Sequence, residues 1–122
     1  YDSVVVEGVG GWLAPLADDL PAAALAQAFG LPVILVVGLR LGCLNHALLS
    51  ARAIVDDGCA LLGWIGNRID PDMAMADANI DTLKRLLLAP CLGVLDHGPA
   101  PGAAAAKLSQ AVTVVLRDSQ TH

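Results

Sequence analysis

The 122-residue chain is long enough for one hydrophobic core and short for two, so a single domain, or a piece of one, is expected. Hydrophobic residues make up 56% of it and aromatics only 3%, which argues against disorder and for a core of Ala, Val, Leu and Ile, as where helices pack on a parallel sheet. The net charge of −5 argues against a broad nucleic-acid or anionic-membrane surface, which needs clustered Lys and Arg, but permits a single nucleotide held by backbone amides and a metal.

In chain order, Ser3 to Val6 is the first short β-branched run and reads as a buried strand. Tyr1 and Asp2 lead straight into it with no Met, which reads as an internal strand of a larger sheet and the chain as a fragment; no basic segment precedes an apolar stretch, as a secretory leader would require. A soluble, cytoplasmic protein is expected. Glu7-Gly8-Val9-Gly10-Gly11-Trp12-Leu13-Ala14-Pro15 follows. A carboxylate at the end of a buried strand, with glycines that let backbone approach a ligand, suits Mg²⁺ held near phosphates. The same glycines also suit an ordinary turn, and both readings stand at this point.

A helix is predicted from Asp18 or Asp19, either of which could cap it, to Phe29, with Gly30 as its stop. The second strand is predicted over Val33 to Val37; the apolar run around it, Leu31 to Val37, is far too short to span a bilayer. Gly38 to His46 then opens a helix whose free amides favour an anion, so a substrate carboxylate could dock there. On these residues alone the favoured reading is a plain strand-to-helix loop, with Asn45 capping or solvated and His46 structural. Leu44, Ala47, Leu48, Ala51, Ile54 and Val55 share one helical face before Gly58 ends that helix.

Leu61 to Ile65 is the third predicted strand, and Gly66-Asn67-Arg68 follows it. The Asn67 amide offers both an acceptor and donors, as recognition of a purine edge requires; alternatively it forms a turn with Asp70-Pro71 close behind. Met73, Ala76, Ile80, Leu83 and Leu87 recur at helical spacing, and Cys91 to Leu95 is the fourth strand. After the loop Gly98 to Gly102, Ala103 to Ala106 opens a terminal helix, with Arg117 to His122 expected to fray. Cys43, Cys59 and Cys91 are odd in number and lack CxxC spacing, so reduced thiols are expected and neither a disulfide framework nor a zinc site.

Alternating strands and helices predict right-handed βαβ units: an α/β fold with a parallel sheet and helices on both faces. Ligands in such sheets bind beyond the carboxyl ends of the strands, where the three unusual loops fall.

Together, VEGVGGWLAPL, LPVILVVGLRLGCLNHALLSARAI and LLGWIGN, in this order, resemble the dethiobiotin synthetases over most of residues 1–95. The resemblance implies a P-loop NTPase-like domain, of which residues 1–122 would be the C-terminal portion. That family forms dethiobiotin from 7,8-diaminononanoate, CO₂ and ATP with Mg²⁺, through a carbamate that is phosphorylated before the ring closes. It also implies roles. Glu7 would ligate Mg²⁺ at the phosphates, with Gly8 beside the nucleotide, and Gly8, Gly10 and Gly11 would form a loop beside the substrate. Leu41, Gly42, Cys43, Leu44 and Asn45 would receive the substrate carboxylate across a homodimer interface, and Asn67 would read adenine.

Two departures stand out. No GxxxxGK[ST] occurs, and the only lysines, Lys84 and Lys107, lie in predicted helices, so neither the phosphate cradle nor the family's substrate-activating lysines are carried by these residues and the chain alone is expected to be inactive. After the last strand the family usually has a Pro and later a Glu framing adenine, where this chain has Asp96-His97-Gly98-Pro99-Ala100. A cobyric acid synthase-type ligase shares the fold and is disfavoured by the Leu41 to His46 loop. A non-catalytic dimerisation or regulatory paralogue is the alternative from a different class.

Overall fold

The computed structural model describes residues 4–98 and 101–120. Val4 to Val6 form no strand: they are irregular, and 76%, 90% and 49% exposed. The Val-rich run has the propensity expected of a strand, but a strand is stable only when its backbone groups find a neighbour, and none pairs with it among the described residues. Ser3 lies outside the described residues.

An unanticipated hairpin comes next. Strands β1 (Pro15–Ala17) and β2 (Leu20–Pro21) are antiparallel, and Asp18-Asp19 is the turn between them, so neither aspartate caps a helix. Helix α1 (Ala22–Phe29) starts four residues after Asp18, behind Pro21, with no side-chain cap. Two of its free N–H groups are satisfied by backbone instead, Ala22 donating to the Ala14 carbonyl (2.8 Å) and Ala23 to that of Trp12 (2.9 Å). Gly30 ends the helix as expected, in the left-handed region at φ 61°.

The remaining elements build the sheet. Strand β3 (Val33–Gly38), helix α2 (Cys43–Asp56), strand β4 (Leu61–Asn67), helix α3 (Ala76–Leu86), strand β5 (Cys91–Leu95) and helix α4 (Pro101–Gln120) follow in order. The strands are parallel, in the order β3-β4-β5. Helix α2 closes through Gly58, at φ 78°, whose N–H reaches the Val55 carbonyl while that of Cys59 reaches Ile54, the paired bonds of a Schellman stop. Strand β4 runs two residues further than predicted, so that Asn67 is its last residue. Helix α3 begins at Ala76, later than the Met73 periodicity indicates, because Asp70-Pro71 opens a turn in which the Asp70 carboxylate accepts from the Asp72 N–H (3.0 Å) and the Asp70 carbonyl from Met73 (3.4 Å).

Helix α4 corrects the expected fraying: it is helical through Gln120, since extending an established helix through Arg, Ser and Gln costs little per residue. His122, at the end of the predicted tail, and Pro99 and Ala100 of the preceding loop lie outside the described residues.

Alternation along the strands puts helices on both faces. On one face Leu35 and Val37 of β3, Trp64 of β4 and Val94 of β5 pack with Cys43 and Ala47 of α2 and Ile80 and Leu83 of α3. Trp64 and Leu83 are fully buried there, and the Trp64 indole N–H has no hydrogen-bond partner among the described residues. On the other face α4 lies so close to β5 that a Cβ on Gly93 would come within 2.5 Å of Leu108. A Cβ on Gly63 would meet Leu92 at 2.7 Å, so both glycines admit close packing. Val36, on the β3 side of this second face, is 60% exposed. No helix among the described residues is long and apolar enough to cross a membrane.

Candidate functional site

At the carboxyl end of the sheet the β3 and β4 exits are bound together. Gly38 is in register with Asn67, and the Asn67 carbonyl accepts from Leu39 (2.8 Å) and from Ile69 (2.9 Å). The second of these bonds closes a tight turn. Ile69 folds back over β3 so closely that a Cβ on Gly38 would stand 2.8 Å from its Cδ1. Asn67 is also in register with Leu95, and the Arg68 N–H donates to the Leu95 carbonyl (2.9 Å), which brings the β5 exit alongside.

Asn67 thus forms a turn, as one of its two readings has it, and does so through its main chain. The turn is made by its carbonyl, and the side-chain bond of the next turn belongs to Asp70. The half-buried Asn67 amide group has no protein partner among the described residues, which leaves its acceptor and two donors for a ligand.

The start of α2 lies at the same sheet end, four residues beyond β3. Gly42 is its N-cap, held at φ 94°, a conformation costly for any residue with a Cβ. No side chain caps the helix and its first turn carries no acid. The Cys43 N–H is bonded to the Arg40 carbonyl (3.0 Å) and that of His46 to Gly42 (3.1 Å), leaving the Leu44 and Asn45 amides to face outward with the positive end of the helix dipole. Leu41 is 94% exposed and Asn45 is exposed, whereas Cys43 is buried in the core, so its contribution to a ligand is its backbone. Such an end can take a carboxylate.

Glu7, Gly8, Gly10 and Gly11 are placed otherwise. They are exposed in irregular chain, and no hydrogen bond or ion pair among the described residues ties Glu7 to the α2 start or to Asn67. Gly10 and Gly11 have φ of 92° and 109°, which a Cβ would strain, and the Gly11 carbonyl accepts from Ala14 (3.1 Å) to close a turn that Gly10 precedes. Beyond it the Trp12 indole donates to the Asp57 carboxylate (2.7 Å), at the C-cap of α2. With 14 residues at about 1.5 Å each, α2 puts that anchor about 21 Å from its own start.

No group of three or more His, Cys, Asp or Glu side chains among the described residues converges on a metal position. Magnesium commonly needs only one or two carboxylates with phosphate oxygens and water, and a single exposed Glu7 fits that donor set. The larger groove, about 560 Å³, runs from Asn45 along the flank of α2 past Arg52 and Val55 to Leu86 and Leu88; the smaller, about 310 Å³, lies at the opposite end of the sheet by Gly30 and Cys59. Neither is lined by Asn67, which is half-buried at the end of β4.

Sequence reasoning missed Arg68. Its guanidinium donates to Asp77 in the first turn of α3 (2.6 Å) and lies 3.6 Å from Asp96, the residue after β5. The signal was a cation between strand and turn with carboxylates downstream, but which of them it meets depends on the topology.

Residues 1–104 match the family model described as AAA domain. With the three-stranded parallel sheet and its flanking helices, this places the fold as a partial α/β domain of the P-loop class. The chain is similar to curated proteins named ATP-dependent dethiobiotin synthetase BioD: 55% identical to that of Aromatoleum aromaticum over 109 residues, 88% of this chain and 48% of the relative. It is 58% identical to that of Ralstonia nicotianae over 102 residues (84% and 44%), and 54% to that of Xanthomonas euvesicatoria pv. vesicatoria over 102 residues (84% and 46%). The chain thus spans about half the length of the curated relatives it matches.

Proposed function

The chain belongs to the AAA-domain family, and from that premise we propose that it is the C-terminal portion of one P-loop NTPase-like domain of a dethiobiotin synthetase. The observation that carries this reading is the presence, at one sheet end, of two recognition groups with no side-chain partner among the described residues: the uncapped start of α2 and the Asn67 amide.

In the reaction, an amine of 7,8-diaminononanoate takes up CO₂ as a carbamate, ATP phosphorylates it, and the second amine closes the ureido ring with loss of phosphate. The residues of this chain bind and orient. The backbone of Leu41 to Asn45, with the α2 dipole, receives the substrate carboxylate, and in a homodimer it serves the neighbouring subunit's ligand. Asn67 pairs with the purine edge from a backbone already fixed on three sides. Glu7 would hold Mg²⁺, which would supply neutralisation of charge at the phosphates, and Gly8, Gly10 and Gly11 would bring backbone beside nucleotide and substrate. The 122 residues contain no GxxxxGK[ST], so turnover needs a phosphate cradle from elsewhere. A soluble, cytoplasmic setting suits these small-molecule partners.

The test is Asn67→Ala in a protein that joins this chain to the upstream part of the Aromatoleum aromaticum relative. A bidentate base contact is worth roughly 1–3 kcal/mol, about ten- to hundredfold. We expect KM for ATP to rise and the ATP-to-GTP ratio of kcat/KM to fall by that factor, with the melting temperature nearly unchanged because the turn uses the carbonyl. An unchanged ratio removes Asn67 from the site.

A further inference from the structure

Arg68 ties the two ends of the β4–α3 connection to the β5 exit at the carboxyl end of the sheet. Its backbone extends the β4–β5 ladder to Leu95; one arm of its guanidinium meets Asp77 at the start of α3 at 2.6 Å; its Nε lies 3.6 Å from Asp96, the first residue of the β5 exit. Asn67 immediately precedes it in the chain and is in register with Leu95, so the Arg68–Asp96 pair lies next to the backbone that carries the Asn67 amide.

Two observations separate this from an ordinary surface ion pair. The carboxylates are largely exposed, 86% and 71%, whereas the Arg68 side chain is 30% exposed, so the contacts add little to global stability but fix one cation at a junction. The Arg68 guanidinium also spans two carboxylates, hydrogen-bonded to Asp77 and within ion-pair distance of Asp96, a reach over a planar group that the compact lysine ammonium reproduces only in part. What remains for these contacts to do is to set the relative position of the β4 and β5 exits, and with it the direction of the Asn67 amide.

We propose that Arg68 is a positioning residue for base recognition, acting through Asn67 by holding the β4 exit against α3 and the β5 exit. This rests on the assignment of Asn67 to the purine. Loss of the clamp lets the two exits move apart, and affinity for the base falls while the fold persists. The expected loss is about three- to fivefold, the upper part of the range that exposed ion pairs command, since two pairs are lost together.

The experiment uses the ¹⁵N-labelled protein that joins this chain to the upstream part of the Aromatoleum aromaticum relative, titrated with Mg-ATP and with Mg-GTP, following the backbone amides of Leu39, Ile69 and Asp96. The wild type, Arg68→Gln, Arg68→Lys, Asn67→Ala and the Arg68→Gln/Asn67→Ala double variant are compared, with a melting curve for each. Arg68→Gln is expected to weaken ATP binding about three- to fivefold, Arg68→Lys to recover part of the loss, and the Arg68 effect to vanish once Asn67 is Ala, a coupling that a merely structural residue does not show. Should Arg68→Gln fail to fold, Asp77→Asn removes the charge pairing of the α3 arm and is expected to weaken ATP in the same direction. If Asn67→Ala lowers ATP affinity and no clamp variant does, or if the Arg68 and Asn67 effects simply add, the proposal falls and the Asn67 assignment stands. If ATP moves none of these amides in the wild type, or Asn67→Ala binds ATP and GTP as the wild type does, both fall.

Discussion

Asn45→Asp puts a negative charge into the first turn of α2, which at present carries none. Two opposite effects follow. On folding, the carboxylate meets the positive end of the dipole and the outward-facing Leu44 and Asn45 amides, so stability should rise by about 0.3–1 kcal/mol. On binding, a substrate carboxylate hydrogen-bonded to those same amides would sit roughly 6 Å from the new charge. Coulomb repulsion at that separation is about 0.7 kcal/mol at the dielectric of water and about 2.8 kcal/mol at the value typical of a protein surface, a loss of about threefold to hundredfold. The assay is KM for 7,8-diaminononanoate and for ATP in the joined protein, at low and high salt, beside a thermal melt. KM for the diamine should rise within that range and partly recover with salt, KM for ATP should hold, and the melting temperature should increase. Asn45→Ala separates charge from side chain, since it lacks the repulsion. An unchanged diamine KM in a protein stabilised by Asp would show that the substrate carboxylate docks elsewhere.

Glu7→Gln in the joined protein removes a metal-ligating charge from the phosphates, and turnover should fall by orders of magnitude at all Mg²⁺ concentrations. A near wild-type rate at saturating Mg²⁺ would return Glu7 to the Gly-rich turn it precedes. Leu83→Ala, at a fully buried position in the core beneath Trp64, should lower urea-measured stability by about 3–5 kcal/mol, whereas Leu86→Ala, half-exposed on the same helix, should cost about 1 kcal/mol or less. Equal losses at the two positions would contradict the packing of α3.

The parallel sheet was legible because β3, β4 and β5 are local apolar runs with glycines and turn formers between them, and because alternating strand and helix admit few topologies. The stops of α1 and α2 at Gly30 and Gly58 were legible for the same local reason. The elements that failed depend on partners distant in sequence. Val4 to Val6 have strand propensity but no neighbour, and α1 starts late because Trp12 and Ala14, not Asp18 or Asp19, supply its cap. In the candidate site, the Asn67 and α2-start loops were brought together as their place after parallel strands requires, with Asn67 as the last strand residue. The Glu7 loop was not, since its position is set by a turn and by the Trp12–Asp57 bond rather than by a strand. Arg68 escaped notice because its two carboxylates come from different connections, and only the fold makes them neighbours.

The most direct measurement is dethiobiotin formation from 7,8-diaminononanoate, bicarbonate and Mg-ATP, by the 122-residue chain alone and by the same chain joined to the upstream part of the Aromatoleum aromaticum relative. Product that depends on ATP should come from the joined protein and none from the chain alone. A joined protein that folds and binds ATP yet forms no dethiobiotin, or a chain that forms it unaided, would contradict the proposed division of the site.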